Sequence, residues 1–465
     1  MNFLGKCKNT LIGDKNFYSK VFSIVMPMII QNTVTNVVNL LDNVMVGRVG
    51  TLQMSAVAIV NQLIFVFNLC IFGGLAGAGI FSTQYAGAKD NEGMRHCVRM
   101  KCYIGIFMLC IALGVFLAFP DFLIGSYLAE DTAPEAVIDT LYYAKSYLFV
   151  MLLGLFPFAV SQIYGSTLRE VGETRFPMIS SIIAIAVNLV FNYLLIFGKL
   201  GFAPLGVVGA AIATVLSRYV EMGIIIVFAH KNSQRFAFIK GVYRSFKVPT
   251  ALFGKIMRSG MPLLINEFLW SLGMAVLLQC YSVRGLTVIA ASNISNTAAN
   301  LFNVAFISMG SAIAIMLGQA LGAGDSEKAK NIVWKLMGLT VFVSAVMGLM
   351  LILVAGVIPN VYNTEPDVKA LATKFLYVVA ALMPFAAFAH GCYFTMRSGG
   401  RTIITFLFDS VVVWGLNIPV AWVLSNLTAM PIVYVFLVIQ SLEIIKCILG
   451  FILVKKGVWI RNIVS

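Results

Sequence analysis

Charge is scarce in this chain. Of its 465 residues only 11% are Asp, Glu, Lys or Arg, while 60% are hydrophobic and the mean hydropathy is +0.92. A soluble domain of this length, with about a quarter of its residues charged, is excluded. Histidine is scarcer still: His96, His230 and His390 are too scattered for a zinc cluster. The eight cysteines (Cys7, Cys70, Cys97, Cys102, Cys110, Cys280, Cys392 and Cys447) include no Cys-x-x-Cys pair, and none falls in a long outer loop. No disulfide framework is expected, and a reduced, structural role follows. The short alternating segments of a β-barrel are missing too. The first twenty residues carry Lys6, Lys8, Lys15 and Lys20 without an apolar core. No cleavable signal peptide is expected, because the first long apolar run is a full span.

What is present is a series of apolar stretches, each long enough to cross hydrocarbon as a helix of about 20 residues. Twelve are counted, over 20–47, 55–82, 99–119, 141–165, 177–197, 206–228, 256–281, 287–317, 332–356, 372–396, 402–424 and 432–454. The fold class expected is all-α and polytopic, with two parallel six-helix lobes. The net charge of +14 is distributed unevenly. With the amino terminus in the cytosol, inner segments hold Arg95, Arg99, Lys101, Arg169, Lys240, Arg244, Lys247, Arg397 and thirteen further cations. Outer segments hold only Arg48, Lys199, Arg284, Lys369 and Lys374, and the loop before span 4 is acidic, with Asp121, Glu130, Asp131, Glu135 and Asp139. This asymmetry places both termini in the cytosol of a plasma (inner) membrane protein. The basic loops read as topology signals and contacts with membrane lipids, not as a nucleic-acid site.

The chain repeats itself. Met26-Pro27 through Gln84, Gly87 and Asp90 recurs half a chain later, at one constant offset, as Met261-Pro262 through Gln319, Gly322 and Asp325. Asn61 matches Asn296 and Asn68 matches Asn303 at the same offset. The one long polar connection, 231–255, falls between the copies. The organisation expected is therefore an N-lobe over 1–230, a basic cytoplasmic linker over 231–255 and a C-lobe over 256–465. Each half has an even number of spans, so the repeats are parallel, the build of a secondary transporter with its site between halves. Arg169-Glu-Val-Gly172 after span 4 also echoes Arg397-Ser-Gly-Gly400 after span 10, with the glycines read as tight turns.

Five acids sit inside the spans: Asp42, Glu221, Glu267, Asp409 and Glu443. Each costs about 3 kcal/mol or more there and needs a reason. Glu221 follows Arg218 by one helical turn and Glu443 precedes Lys446 by one, so both read as local ion pairs. Asp42, Glu267 and Asp409 have no such neighbour and are the functional candidates. Span 1 carries Asn32, Asn36, Asn39 and Asn43 beside a row of Gln31, Thr35 and Asp42, a polar face suited to a wet cavity. Asn188 and Asn192 share a face of span 5, and Asn293, Asn296, Asn300 and Asn303 a face of span 8. An aspartate with two or three amide oxygens can hold a proton or a small hard cation such as Na⁺; amides that only bind helices together are the plainer alternative. Facing each other, Glu267 and Asp409 would form a carboxylate pair attractive to lipophilic cations. Tyr281, Trp270 and Trp414 are weaker cavity candidates, and His390 either titrates or packs.

These residues together resemble the multidrug and toxic compound extrusion (MATE) transporters. The resemblance rests on Asp42 near Val46-Gly47-Arg48, Arg169-x-x-Gly172-x-Thr174, Asn188 through Asn192 to Gly198, Gly206-Val-Val-Gly209 through Thr214, and Gly260-Met-Pro262 with Asn266-Glu267. It covers nearly the whole chain. It implies a V-shaped pair of lobes, alternating access, and export of organic cations in exchange for Na⁺ or H⁺, with no cofactor, acting as a monomer and not as an enzyme. It makes Asp42, beside Asn188, the N-lobe ion or proton acid, and Glu267 the C-lobe acid. Two departures stand out. One branch of the family has Asp where this chain has Asn192, and members with a span 10 acid would place it near Ala386; Asp409 substitutes in part.

Two rival readings remain beside it. A lipid-linked sugar flippase of the same superfamily would need a cationic cavity, toward which only Lys145 points. A polytopic membrane enzyme would need a His/Asp or metal cluster at an interface loop, and the loops offer none.

Overall fold

The computed structural model describes residues 11–128, 134–362 and 364–464. Lys6, Lys8, Cys7, Glu130 and Asp131 lie outside them. In hydrocarbon every backbone N–H and C=O must be satisfied within its own segment, and the apolar runs accordingly fold as helices. In chain order these are α1 (Lys15–Gly47), α2 (Thr51–Ala88), α3 (Asn91–Ala118), a short α4 (Pro120–Gly125), α5 (Pro134–Leu152), α6 (Leu155–Glu170), α7 (Arg175–Phe197) and α8 (Gly206–Lys231). The second half holds α9 (Thr250–Ser282), α10 (Leu286–Gly322), α11 (Ser326–Val354), α12 (Pro366–Ser398), α13 (Thr402–Phe406), α14 (Ile418–Leu427), α15 (Ile432–Ser441) and α16 (Glu443–Lys455). Between α13 and α14 the chain turns through two π segments, Leu407–Val411 and Val413–Asn417.

Among the described residues eleven helices are long and apolar enough to cross a membrane, and the bent pair Val137–Leu152 and Leu155–Glu170 brings the number to twelve. The expected twelve-span, all-α class is what is found. Span 4, expected to be continuous, is bent by 46°. Gly154 separates its halves, and Pro157 just beyond removes a backbone donor from the following turn.

The chain packs into two compact units. One, the amino-terminal unit, comprises Ile30–Ser82 and Asn91–Ile256; the other, the carboxy-terminal unit, takes the chain up to Ile29, Thr83–Asp90 and everything from Met257. This differs from the lobe boundaries expected from sequence in three places, for physical reasons. Val21, Ile24, Val25 and Met28 of α1 are buried in one core with Met309, Ile313, Leu317 and Met337. Residues 83–90 follow because the carboxy-terminal ends of α2 and α10 meet backbone to backbone. A Cβ on Gly87 would lie 2.0 Å from the Gln319 carbonyl oxygen, and one on Gly322 would lie 1.9 Å from that of Gln84. The repeated glycines thus serve a reciprocal close approach that no side chain permits. Gln84 is also tied to the chain end: its amide donates to the carbonyls of Ser398 (3.0 Å) and Arg461 (3.1 Å), and the Ile463 N–H donates to its Oε1 (2.9 Å).

The third difference is the segment expected to be a free linker. It folds back onto the amino-terminal unit, with Phe236, Phe238, Ile239 and Val242 buried around a single 3₁₀ turn, Ala237–Ile239. Arg99 of α3, itself buried, donates to the carbonyls of Val242 (2.9 Å), Gly241 (3.2 Å) and Lys247 (3.2 Å). Arg95 donates to Ala237 (3.3 Å) and the Tyr103 hydroxyl to Phe246 (2.6 Å). Cations read from sequence as topology signals therefore also clamp a strap. Lys101 is fully buried, paired with Glu170 at 2.6 Å and bonded to Ser166 and Thr167. The turns after spans 4 and 10 behave as expected: Gly172 and Gly400 take φ of 88° and 72°, where other residues are strained.

Candidate functional site

Each unit contains a polar cluster within its helices. In the amino-terminal unit α1 supplies Asp42, α7 supplies Asn188 and Asn192, and α8 supplies Thr214. The 3.6-residue period puts Asn188 and Asn192 on one face, one turn apart. The Asn192 amide donates to Asp42 Oδ1 at 2.7 Å. Turned so that both its ends find partners, the Asn188 amide lies 3.1 Å from each Asp42 oxygen and accepts from the Thr214 hydroxyl at 3.2 Å. Asn188 and Asn192 are 6% and 2% exposed, so these amides are committed to the aspartate and not to water. Asn192 Oδ1 is buried with no hydrogen-bond partner among the described residues. A carboxylate thus stands beside an acceptor oxygen that nothing donates to, an arrangement that favours a proton or a bare cation. The expected meeting of Asp42, Asn188 and Asn192 is present.

A second chain of contacts runs through the same unit. Gln31 Nε2 donates to Ser181 Oγ at 2.8 Å, and the Ser181 hydroxyl donates to Glu221. The local Arg218–Glu221 pair expected from spacing acts through charge without a direct ion-pair contact: Glu221 accepts from Ser181, and Arg218 lies over the Phe158 ring, 4.5 Å from its centroid. The Thr35 hydroxyl returns to its own helix, donating to the Gln31 carbonyl, and so offers no donor to a cavity. Asn39 is exposed; Asn61 is exposed and accepts from the Tyr147 hydroxyl at 3.2 Å.

The carboxy-terminal cluster differs from expectation. Asp409 is not an unpaired carboxylate. Lys446 of α16 donates to its Oδ1 at 3.1 Å while also pairing with Glu443 at 3.0 Å, one of the two local pairs the spacing predicted. Asn266 of α9, 1% exposed, donates to the other Asp409 oxygen at 3.2 Å and accepts from Ser410 at 2.7 Å. Glu267 is not bare either. The Tyr393 hydroxyl of α12 and the Arg397 charge both act on it, alongside Asp409. The proposed repelling pair is therefore interleaved with two cations. The wide π turns allow this, since they set the Asp409 and Ser410 side chains onto α16 and α9 from adjacent positions.

The remaining candidates are placed less centrally. Tyr281 is a core residue, 7% exposed and edge-on to Phe436, which corrects its reading as cavity lining. Trp270 is exposed. Trp414 donates to the Leu269 carbonyl at 2.9 Å. Asn296 is exposed and Asn303 half-buried on α10. His390 packs among Phe306, Tyr393 and Phe394, its Nε2 buried with no partner among the described residues. Sequence reasoning missed Lys446, Arg397, Tyr393 and Ser410 as members of the site, and used Asn266 only as part of a motif. One signal was available. Gln31 and Asn266 stand at the same offset as the other repeated residues, and each amide bonds a serine, Ser181 or Ser410.

Twelve apolar spans, an internal duplication and polar clusters held between helices define a polytopic membrane transporter. The MatE family model matches residues 27–194 and 262–423, and the chain belongs to that family, the MATE multidrug efflux transporters. It is 28% identical over 424 residues to the probable multidrug resistance protein YoeA of Bacillus subtilis, covering 89% of this chain and 88% of that one. It is 24% identical to the probable multidrug resistance protein NorM of Thermotoga maritima, covering 96% and 94%. Its fold is similar to that of an outward-facing MATE family transporter of the MOP superfamily, with TM-score 0.84, 19% identity and 97% of each chain covered. It is also similar to a MOP superfamily transporter from Pyrococcus furiosus described as having a binding pocket of reversed polarity, with TM-score 0.83, 19% identity and 97% of each chain covered.

Proposed function

We propose that the protein is a secondary active antiporter that exports lipophilic organic cations from the cytosol in exchange for Na⁺ or H⁺. It would act as a monomer in the plasma membrane with both termini cytoplasmic. The observation that carries the reading is the Asp42 cluster: a carboxylate within the spans, flanked by the buried and unpartnered Asn192 Oδ1. A coupling ion would bind there through Asp42 and Asn192. Binding neutralises the aspartate, and any cargo cation held by the same charge then loses its counter-charge and leaves. Exchange follows only if ion and cargo each prefer a different state of the protein, since a ligand bound equally to both shifts nothing. The relatives' names as multidrug resistance proteins support the choice of cargo.

One observation favours a second reading. Lys446 and Arg397 largely balance Glu267, Asp409 and Glu443, so the carboxy-terminal cluster is not strongly anionic. An anionic or lipid-linked cargo handled at that unit is the alternative. One assay separates the two. Purified protein in liposomes is given a fluorescent lipophilic cation, with Na⁺ and pH gradients imposed in turn. Dye movement with one gradient, absent in Asp42→Asn, supports antiport and identifies the ion. No movement of several cations with either gradient overturns the cation reading and leaves the anionic one to be tested with labelled lipid-linked anions.

A further inference from the structure

Between Glu221 and Glu267 the sequence contains no acidic residue, while Lys231, Arg235, Lys240, Arg244, Lys247 and Lys255 fall within it. The strap that carries most of these cations is two-sided. Phe236, Phe238, Ile239 and Val242 are buried against the amino-terminal unit. Lys240, Arg244 and Lys247 are exposed on the strap itself, and Lys231 and Lys255 are exposed on the helices at its two ends. Arg235 is spoken for by Glu173 at 2.7 Å. Among the described residues none of the other five cations has an ion pair. Three exposed aromatics are interleaved with them: Tyr243 at 46%, Phe246 at 50% and Phe253 at 43%. The strap joins the ends of two apolar helices, α8 at Lys231 and α9 at Thr250, so it lies at the level where hydrocarbon meets water.

We propose that this strap is a docking surface for acidic phospholipid, its cations facing headgroup phosphates and its exposed rings seated among headgroups and glycerol backbones. Charge complementarity selects the partner. Clustered cations beside a span are attracted to an anionic leaflet within a Debye length of about 8 Å; the exposed Phe246 and Phe253 rings add apolar area beside them, while Tyr243 bonds Tyr164 through its hydroxyl and leaves only part of its ring outward. The backbone is already held in shape by Arg99, Arg95 and Tyr103, so lipid binding orders only the outward side chains. The proposal rests on the basic strap facing a membrane surface, and not on the identity of the cargo or coupling ion.

The test is chymotryptic cleavage of the full chain in nanodiscs, following cuts after Tyr243, Phe246 and Phe253 by mass spectrometry. Discs of phosphatidylglycerol and of phosphatidylcholine present the same lipid on both faces, so the outcome does not depend on which side is cytosolic. Cleavage is expected to be about tenfold slower in phosphatidylglycerol, with the difference erased by high salt. It should also be erased in the triple variant Lys240→Gln, Arg244→Gln, Lys247→Gln, which keeps all three cleavage sites. Equal cleavage in the two lipids overturns the proposal, as does full protection of the variant. Equal protection by inorganic phosphate in phosphatidylcholine discs also overturns it, in favour of a soluble anion. If the variant unfolds, the salt series on the unmodified protein decides alone: protection that survives high salt overturns the proposal.

Discussion

The two polar clusters share repeated positions but pair their acids differently. Gln31 and Asn266, paired by the repeat, each bind a serine on the fifth helix of their half, Ser181 or Ser410. From there the copies diverge. In the amino-terminal unit Asn188 and Asn192 converge on Asp42. In the carboxy-terminal unit the repeat pairs Asp42 with Leu277, a buried apolar residue in a core with Ala421 and Ile418. Asn417, which stands as far beyond Asn188 as Ser410 does beyond Ser181, has a buried Oδ1 with no partner among the described residues. Meanwhile Asp409 has acquired Lys446. Among the described residues Asp42 thus has no ion pair, whereas Asp409 and Glu443 share Lys446. A carboxylate kept without a cation can exchange its counter-ion. One locked to a lysine within the spans holds helices together, and breaking the pair strands a charge.

That comparison can be broken or sharpened by experiment, from the largest effect to the smallest. Asp42→Asn should reduce gradient-driven exchange in proteoliposomes on the order of a hundredfold or more, as expected when the exchanging charge is removed outright, while leaving unfolding temperature nearly unchanged. Glu267→Gln should cost much less. The reverse ranking would move the coupling site to the carboxy-terminal unit. Lys446→Met should destabilise the protein by about 3–5 kcal/mol, because Asp409 and Glu443 lose their cation. Thermal unfolding in detergent would reveal it, and adding Asp409→Asn should restore a large part of the loss. A small loss in Lys446→Met alone would show that the network is not structural. Asn192→Ala should weaken coupling-ion affinity roughly tenfold, the effect of one hydrogen-bonding group at about 1.4 kcal/mol. The half-saturating ion concentration for transport is the readout. Asn417→Leu, at the counterpart of Asn188 with its own unpartnered Oδ1, should change stability by about 1 kcal/mol or less in either direction and leave ion affinity untouched. If it weakened ion affinity as Asn192→Ala does, the carboxy-terminal unit would hold a second ion site.

Much of this molecule was legible in the sequence, because hydrocarbon imposes strict local demands. Runs of about 20 apolar residues must become helices, and all twelve spans were visible that way, as were the duplication, the turn glycines Gly172 and Gly400, and the gathering of Asp42, Asn188 and Asn192. The MATE resemblance rested on the same residues. What sequence spacing could not supply was the partner of each charge across helices. Lys446 follows Glu443 by one helical turn, and that local pair was evident; its second bond, to Asp409 on another helix, was not. The 231–255 segment read as a linker because its cations are visible in composition, whereas the burial of Phe236, Phe238 and Val242 depends on which surface the chain returns to. Likewise the first turns of α1 read as part of the first lobe and pack with the second. Helix identity, span number and repeat register are set by neighbours along the chain. Which acid is neutralised, which is left open, and which core an apolar face joins are decided by residues brought together from far apart, through contacts whose energy depends on distance in space and not on position in sequence.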